Sequence, residues 1–122
     1  MVGFQDGHRY TPVQIVGDLG GPKAIQSVRA LTQSSLATGI YHPMEMSVEL
    51  SPDGSNWIPF GSTNSFPRDT RSFSVMWGQV NGAALARYVR WTFTCREWFF
   101  LAELEVIGGA NDKLGARLLS HR

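Results

Sequence analysis

Hydrophobic and polar residues alternate strictly from Met44 to Leu50, and this is the clearest pattern in the chain. A period of two places the four apolar side chains on one face of a strand and the three polar ones on the other. The next residues, Ser51–Gly54, have turn chemistry, because proline fixes φ and glycine accepts a positive φ. A second apolar run, Trp57–Phe60, follows the turn. The segment therefore predicts two strands of an antiparallel sheet joined by a tight turn.

Short apolar runs recur about every 8 to 12 residues along the chain, separated by clusters of glycine, proline and polar residues. This spacing is typical of an antiparallel β-sandwich or barrel, so it predicts an all-β fold. Because they lie on apolar strand faces, Trp57, Trp77 and Trp91 are predicted to be core residues. The turn cluster Leu19–Pro22 is predicted to separate the first two strands. The predicted strands are Val13–Asp18, Ala24–Thr32, Met44–Leu50, Trp57–Ser62, Ser72–Trp77, Arg87–Thr94 and Phe100–Ile107.

The length of 122 residues leaves room for one domain with a substantial core. We assign residues 1–108 to the sandwich and residues 109–122 to a polar C-terminal tail or linker, in which residues 113–119 show some helical period. The N-terminal residues lack the charged and apolar organisation of a signal peptide. The chain is therefore either a cytoplasmic protein or a domain of a longer secreted protein. Because it starts almost inside its first structural element, we expect the second.

Composition and charge argue against several classes of partner. Hydrophobic residues make up 43% of the chain and charged residues 17%, which is typical of a globular protein. The net charge is +1 and no two Lys or Arg residues are adjacent, so nothing favours nucleic acid or an anionic membrane as a partner. No segment approaches the roughly 20 apolar residues of a transmembrane helix. A single cysteine, Cys95, cannot form an internal disulfide.

The sequence also argues against catalysis. It contains no recognisable nucleophile, metalloprotease or phosphate-binding motif. Two pairs of acids, Glu45 with Glu49 and Glu103 with Glu105, each share one face of a predicted strand. Glycosidases instead place two carboxylates on either side of the scissile bond, about 5 to 9 Å apart. We therefore predict that the domain is not an enzyme.

Two predicted loops have the residue types that sugar binding requires. A pyranose stacks its apolar C–H face on an exposed aromatic ring, and its hydroxyls take hydrogen bonds from polar side chains. One loop spans Gln33–His42, and the other, Arg96–Phe99, joins the last two predicted strands. The same residues also fit a structural role, with Trp98 as a cap on the end of the sandwich and His42 as a solvated loop residue. The candidate ligand-binding residues are Gln33, Tyr41, His42, Arg96 and Trp98.

The segments QIVGDLGGPKAIQSVRALTQ, GIYHPMEMSVELSPDGSNW, ARYVRWTF and WFFLAELEVIG follow one another in this order. Their succession resembles the discoidin, or coagulation-factor type C, domain. It is particularly similar to the family 32 carbohydrate-binding modules and related accessory domains of bacterial glycoside hydrolases. The resemblance covers roughly Phe4 to Ile107 and implies a galactose-binding-like jelly roll with ligand loops at one end. It also implies that Trp98 stacks on the sugar and Arg96 donates hydrogen bonds, whereas His42 replaces an arginine that is common in the family.

The same resemblance implies a structural calcium ion that clamps the two ends of the domain. In the family, an Asp-Gly loop near the N-terminus meets an Ala-Glu pair on the last strand. Calcium prefers six to eight oxygen ligands, often backbone carbonyls together with one or two carboxylates. Ordinary turn and surface roles for these residues remain the alternative. The implied ligands are the carboxylates of Asp6 and Glu103, the carbonyls of Gly3, His8 and Ala102, and an oxygen of Thr11.

The sequence thus predicts a non-catalytic carbohydrate-binding module on an antiparallel β-sandwich. Its expected partner is a poly- or oligosaccharide, to which it tethers a larger, multidomain enzyme located outside the cell or in the periplasm. The alternative is a structural or protein-interaction sandwich without a sugar site. Trp98 discriminates between the two, because an exposed ring beside Arg96 supports sugar binding and a buried ring supports the structural role.

Overall fold

A computed structural model describes residues 2–5, 12–35, 43, 45–64, 73–94 and 98–121. Every regular element in these ranges is a β-strand, which confirms the predicted all-β class. No helix in the described ranges is long and apolar enough to cross a membrane. The strands are β1 (Val2–Gln5), β2 (Val13–Ser35), β3 (Glu45–Ser51), β4 (Ile58–Thr63), β5 (Phe73–Thr94), β6 (Trp98–Gly108), β7 (Lys113–Leu114) and β8 (Arg117–His121).

The architecture depends on two long strands, β2 and β5, which pair antiparallel along nearly their whole length. Their ladder shifts register between Asp18 and Lys23 and again between Ile25 and Ser27. Residues 13–18 of β2 pair with the end of β5, which pairs in turn with β3, and residues 15–18 also pair with β8. Residues 25–33 pair instead with β6. The β2–β5 ribbon therefore contributes one half to a first layer, which contains β3 and β8, and the other half to a second layer, which contains β6.

The bend in β2 corrects the sequence prediction of two strands separated by a turn at Leu19–Pro22. Gly20 does take a positive φ of 86°, as a turn residue would. The ladder with β5 nevertheless resumes at Lys23, so the turn residues form an irregularity within one strand. For the same reason the predicted strands Ser72–Trp77 and Arg87–Thr94 are the two ends of β5.

The two layers pack face to face around an apolar core. Close approach of β4 to β5 depends on glycine, since a Cβ added at Gly61 would lie 2.5 Å from Val80 Cγ1. Trp91 is fully buried, as predicted, whereas Trp57 is half-buried. The core consists of Val13, Ile15, Leu19, Ile25, Val28, Ala30, Met46, Val48, Leu50, Val80, Ala86, Val89, Trp91, Phe93, Leu101 and Val106.

The core prediction for Trp77 is wrong, because 40% of this residue is exposed on the outer face of the second layer. Alternation along β5 explains the result. Gly78 and Val80 are buried, so Trp77 and Gln79 point outward. An inward-facing glycine leaves no hydrophobic signal in the sequence, and the apolar tryptophan beside it suggests the wrong face.

Strands β7 and β8 lie in the region for which the sequence suggests a polar tail with some helical period. β7 pairs with β6, and β8 pairs with β2. Leu114 and Ala116 pack against the core. The N-terminal strand β1, which no pattern in the sequence predicts, pairs with β6.

An ion pair joins β2 and β5 at the bend. Arg87 Nε and Nη2 donate to the two oxygens of the buried Asp18 carboxylate at 2.9 and 3.0 Å, and Gly20 N–H donates to Oδ1 at 2.8 Å. The hydrogen bond from Arg87, followed by that from Gly20, lowers the pKa of Asp18 from 3.8 to about 2. The contact fixes the bend between residues that lie 69 positions apart in sequence.

Acid is expected to destabilise the fold in the range where Asp18 titrates. A carboxyl group whose pKa is lower in the folded state stabilises the protein above its unfolded pKa, and this contribution is lost as pH falls through the folded value. The melting temperature should therefore fall between about pH 4 and pH 2. Asp18→Asn should lower it at pH 7 and flatten this part of the profile. The exposed Asp112→Asn serves as the control, and an unchanged slope in Asp18→Asn would contradict the assignment.

Candidate functional site

One end of the sandwich gathers most of the strand tips. The two halves of the ribbon face each other, since Trp91 beside the first half and Leu104 beside the second line one pocket. We infer that both halves end on the same side of the sandwich, where Val13 lies opposite Phe93 and Ser35 opposite Phe73. We call this end the loop end. The strand tips that meet there are Gln5, Val13, Ser35, Glu45, Thr63, Phe73, Thr94 and Trp98. The segments that begin and end there are 6–12, 36–44, 64–72 and 95–97.

The core directly beneath the loop end is closely filled. Met46 and Phe93 are fully buried on β3 and β5, where they lie opposite each other in the ladder. Pro43, which follows the candidate residue His42, is also fully buried. We call these three buried residues the floor of the loop end. A packed interior resists deformation, so the floor is a rigid support for a binding site in the adjoining segments.

The strand register brings two of the predicted sugar-binding residues close together. Gln33 is half-buried on β2 and lies opposite Phe100 of β6. Trp98 is the first residue of β6 and lies opposite Gln5 of β1, two positions closer to the loop end than Phe100. Gln33 and Trp98 therefore belong to neighbouring strands at the same end of the sandwich.

The other predicted sugar-binding residues, Tyr41, His42 and Arg96, lie outside the described residues. Their covalent positions still limit where they can reach. Arg96 is two residues before the start of β6, and His42 directly precedes the buried Pro43. Their assignment to a sugar site, and the exposure of Trp98 that would discriminate between the two functions, stay predictions.

Part of the predicted calcium site can be compared with the structure. Gly3 on β1 lies opposite Phe100, while Ala102 and Glu103 follow on β6. These carbonyl and carboxylate oxygens suit calcium chemically. Glu103 Oε1, however, accepts a hydrogen bond from Lys113 Nζ at 2.9 Å. Among the described residues no three His, Cys, Asp or Glu side chains come together as a metal-binding group.

Asp6, His8 and Thr11 lie outside the described residues, so the calcium site as a whole stays a prediction. The register sets one condition for it. Gln5, which precedes Asp6, lies opposite Trp98, five residues along β6 from Glu103. This separation is about 17 Å. Asp6 and Glu103 can share an ion only if the chain after Gln5 returns toward Glu103.

A partly open pocket of about 220 Å³ does not coincide with the predicted sugar residues. It lies between β6 and the C-terminal strands, and its lining is mainly apolar, including Trp91, Leu101 and Leu114. A sugar requires several polar partners for its hydroxyls, which this lining does not offer. The loop end therefore remains the candidate functional site.

Solved structures share this architecture, although no protein-family profile and no curated protein sequence matches the chain. A Clostridium perfringens domain named CpGH89CBM32-6 has a TM-score of 0.59 at 19% identity, covering 88% of this chain and 76% of its own. A chitosan-binding module of a Paenibacillus chitosanase/glucanase has a TM-score of 0.58 at 19% identity, covering 88% and 77%. CBM32-3 of a family 31 glycoside hydrolase from Clostridium perfringens has a TM-score of 0.60 at 19% identity, covering 86% and 72%.

These similarities identify the fold. The chain has the antiparallel, galactose-binding-like β-sandwich that is found in family 32 carbohydrate-binding modules. The resemblance drawn from the sequence is confirmed at this level. At identities of 19% a shared fold does not carry a ligand with it, so function depends on the residues of the site.

Proposed function

We propose that this chain is a non-catalytic carbohydrate-binding module that holds a larger enzyme on its poly- or oligosaccharide substrate through the loop end. One observation carries the proposal. The register brings Gln33 and Trp98, residues suited to hydrogen bonding and stacking, to neighbouring strand tips at the end where the connecting segments gather. The shared fold with carbohydrate-binding modules supports the same function.

The proposed binding mode divides the work between one aromatic ring and several polar groups. The indole of Trp98 stacks on the C–H face of a sugar ring, and Gln33 and Arg96 hydrogen-bond its hydroxyls. Tyr41 and His42 complete the polar contacts from the first loop. A site of this size buries little area, so affinity per site is low and tethering depends on further modules or on repeated sugar units.

The parent protein in this proposal is a bacterial glycoside hydrolase or another polysaccharide-active enzyme. Two of the similar structures come from such proteins, a chitosanase/glucanase and a family 31 glycoside hydrolase. A module that anchors an enzyme to an extended glycan has to be in the same compartment as the polysaccharide. We therefore place the chain outside the cell or in the periplasm.

A binding screen tests the proposed function. The folded domain is screened by calorimetry and affinity electrophoresis against neutral, acidic and amino-sugar polysaccharides and the corresponding oligosaccharides. Saturable binding to one class is expected, and it would identify the substrate of the parent enzyme. A complete absence of binding by the folded domain would favour a structural or protein-interaction sandwich instead.

Calcium is a separate part of the proposal, with a test of its own. If an ion clamps the chain ends, a chelator should lower the melting temperature, and calcium in excess should restore it, because a ligand of the folded state stabilises it. Magnesium is the control, since its smaller, octahedral coordination shell fits such a site poorly. An identical melting curve with chelator and with calcium would contradict the proposed ion.

A further inference from the structure

The outer face of the second layer carries an aromatic and polar surface that begins at Trp77, four residues along β5 from the loop end. Along β5, alternate residues Trp77, Gln79 and Asn81 point outward, and all three are exposed. Tryptophan is a costly residue to leave in water, and its combination of apolar ring and polar edge suits it to binding surfaces. We call this row the Trp77 face.

The indole ring of Trp77 is held in place before any ligand arrives. The guanidinium carbon of Arg29 lies 4.0 Å from the ring centroid. Arg29 Nε donates in turn to Glu105, whose other oxygen lies 3.0 Å from Lys113 Nζ. Arg29 covers part of the ring, while 40% of the residue remains accessible. A side chain that is already ordered loses little conformational freedom on binding.

The polar residues beside the ring suit a neutral partner. Gln79 Nε2 donates to Asn81 Oδ1 at 2.7 Å. Of the remaining amide atoms on this exposed row, Gln79 Oε1 can accept a hydrogen bond and Asn81 Nδ2 can donate one. Charges around the ring cancel, since two cations pair with two carboxylates. These are Arg29, Lys113, Glu103 and Glu105.

A second tryptophan shows which part of this arrangement is structural. On the outside of the first layer, the guanidinium carbon of Arg90 lies 4.3 Å from the ring centroid of Trp57. Arg90 Nη2 lies 2.7 Å from Glu49 Oε1, so the same Trp–Arg–Glu stack occurs twice. Trp57 is half-buried, however, whereas Trp77 is exposed and lies in line with two exposed amides. Exposure and amides, rather than the stack, distinguish the Trp77 face.

We propose that the Trp77 face is a second binding surface for a neutral polysaccharide chain. The uncovered part of the indole contacts the C–H face of one sugar unit, and the amides of Gln79 and Asn81 bind hydroxyls further along the chain. Trp77 and Asn81 lie about 14 Å apart along the strand, so the face accepts more than one sugar unit.

This surface deepens the proposed function, on which it rests. Gln33 shares the outer face of β2 with Arg29, so the Trp77 face continues toward the loop end. A polymer can therefore engage both surfaces, while a short oligosaccharide reaches only one. Engagement of two weak surfaces by one chain raises the apparent affinity without new contacts at either.

The decisive experiment compares Trp77→Ala with the matched variant Trp57→Ala on neutral polysaccharides and on short oligosaccharides of the same sugar. Trp77→Ala should weaken polymer binding about tenfold and leave oligosaccharide binding at the loop end unchanged. Trp57→Ala should change neither. The double variant Gln79→Ala/Asn81→Ala removes only exposed amides, so it tests the same surface even if Trp77→Ala folds poorly.

Several results would overturn the inference. If the wild-type domain binds a neutral polymer and both Trp77 face variants bind it equally well, the surface has no role and the proposed function stands. If the wild type binds no glycan, the proposed function fails as well. A loss confined to a charged polymer would refute the neutral ligand. A concentration-dependent dimer that Trp77→Ala abolishes in sedimentation would assign the face to a second copy of the chain.

Discussion

Trp98→Ala is expected to abolish sugar binding at the loop end while the melting temperature falls by only a few degrees. An exposed stacking platform contributes most of the contact with the sugar, whereas its removal leaves no cavity in the core. Titration calorimetry with an oligosaccharide from the binding screen measures the first effect, and thermal unfolding followed by circular dichroism measures the second.

The Trp98→Ala experiment has a matched control and an outcome that would contradict the prediction. Trp57→Ala makes the same chemical change on the outside of the first layer, so it should leave binding intact. If Trp98→Ala instead lowers the melting temperature by well over ten degrees, the ring is a core residue that caps the sandwich. Arg96→Ala provides a second test, because loss of a hydrogen-bond donor should weaken binding without removing any apolar surface.

Local pattern alone predicts several elements of the fold. The alternation around Val48 predicts β3, in which Met46, Val48 and Leu50 are buried as predicted, while Met44 lies outside the described residues. The turn after β3 is also predicted by residue type: Gly54 has a φ of 84°, and Asp53 accepts hydrogen bonds from Ser55 N–H and Asn56 N–H at 2.9 Å each. Those two backbone bonds lower the pKa of Asp53. Such features depend on neighbours within a few residues, which the sequence displays directly.

Other features depend on distant partners, which a single sequence does not display. The bend in β2 does not end the strand, because Arg87 binds Asp18 there and β5 pairs with β2 on both sides of the bend. The composition of this segment alone suggests that the strand ends. Strands as short as β7 have too few residues to show a period. For the site, residue type identified Trp98 and Gln33 as candidates, but their proximity depends on β6 pairing with β2. The exposed surface at Trp77 was missed because its orientation is set by an inward-facing glycine.

Trp91→Ala is expected to cost about 3 to 5 kcal/mol of unfolding free energy, a large share of the stability of a domain of this size. Trp91 is fully buried, and its ring lies so close to Gly17 that a Cβ there would be 3.2 Å from Cζ3. The ring also lines the partly open pocket with Leu101 and Leu114. Truncation would enlarge that pocket and loosen the packing beneath the loop end. Urea denaturation at neutral pH measures the change.

Trp91→Phe isolates the contribution of the indole nitrogen. Trp91 Nε1 is buried and has no hydrogen-bond partner among the residues that the structure describes, so tryptophan carries an unsatisfied donor into the core. Phenylalanine removes that donor and keeps most of the ring, and we expect a loss of less than about 2 kcal/mol. Because the core stays filled, sugar binding at the loop end should persist in this variant. A loss as large as that of Trp91→Ala would show that the nitrogen is satisfied in solution and that the core depends on its hydrogen bond.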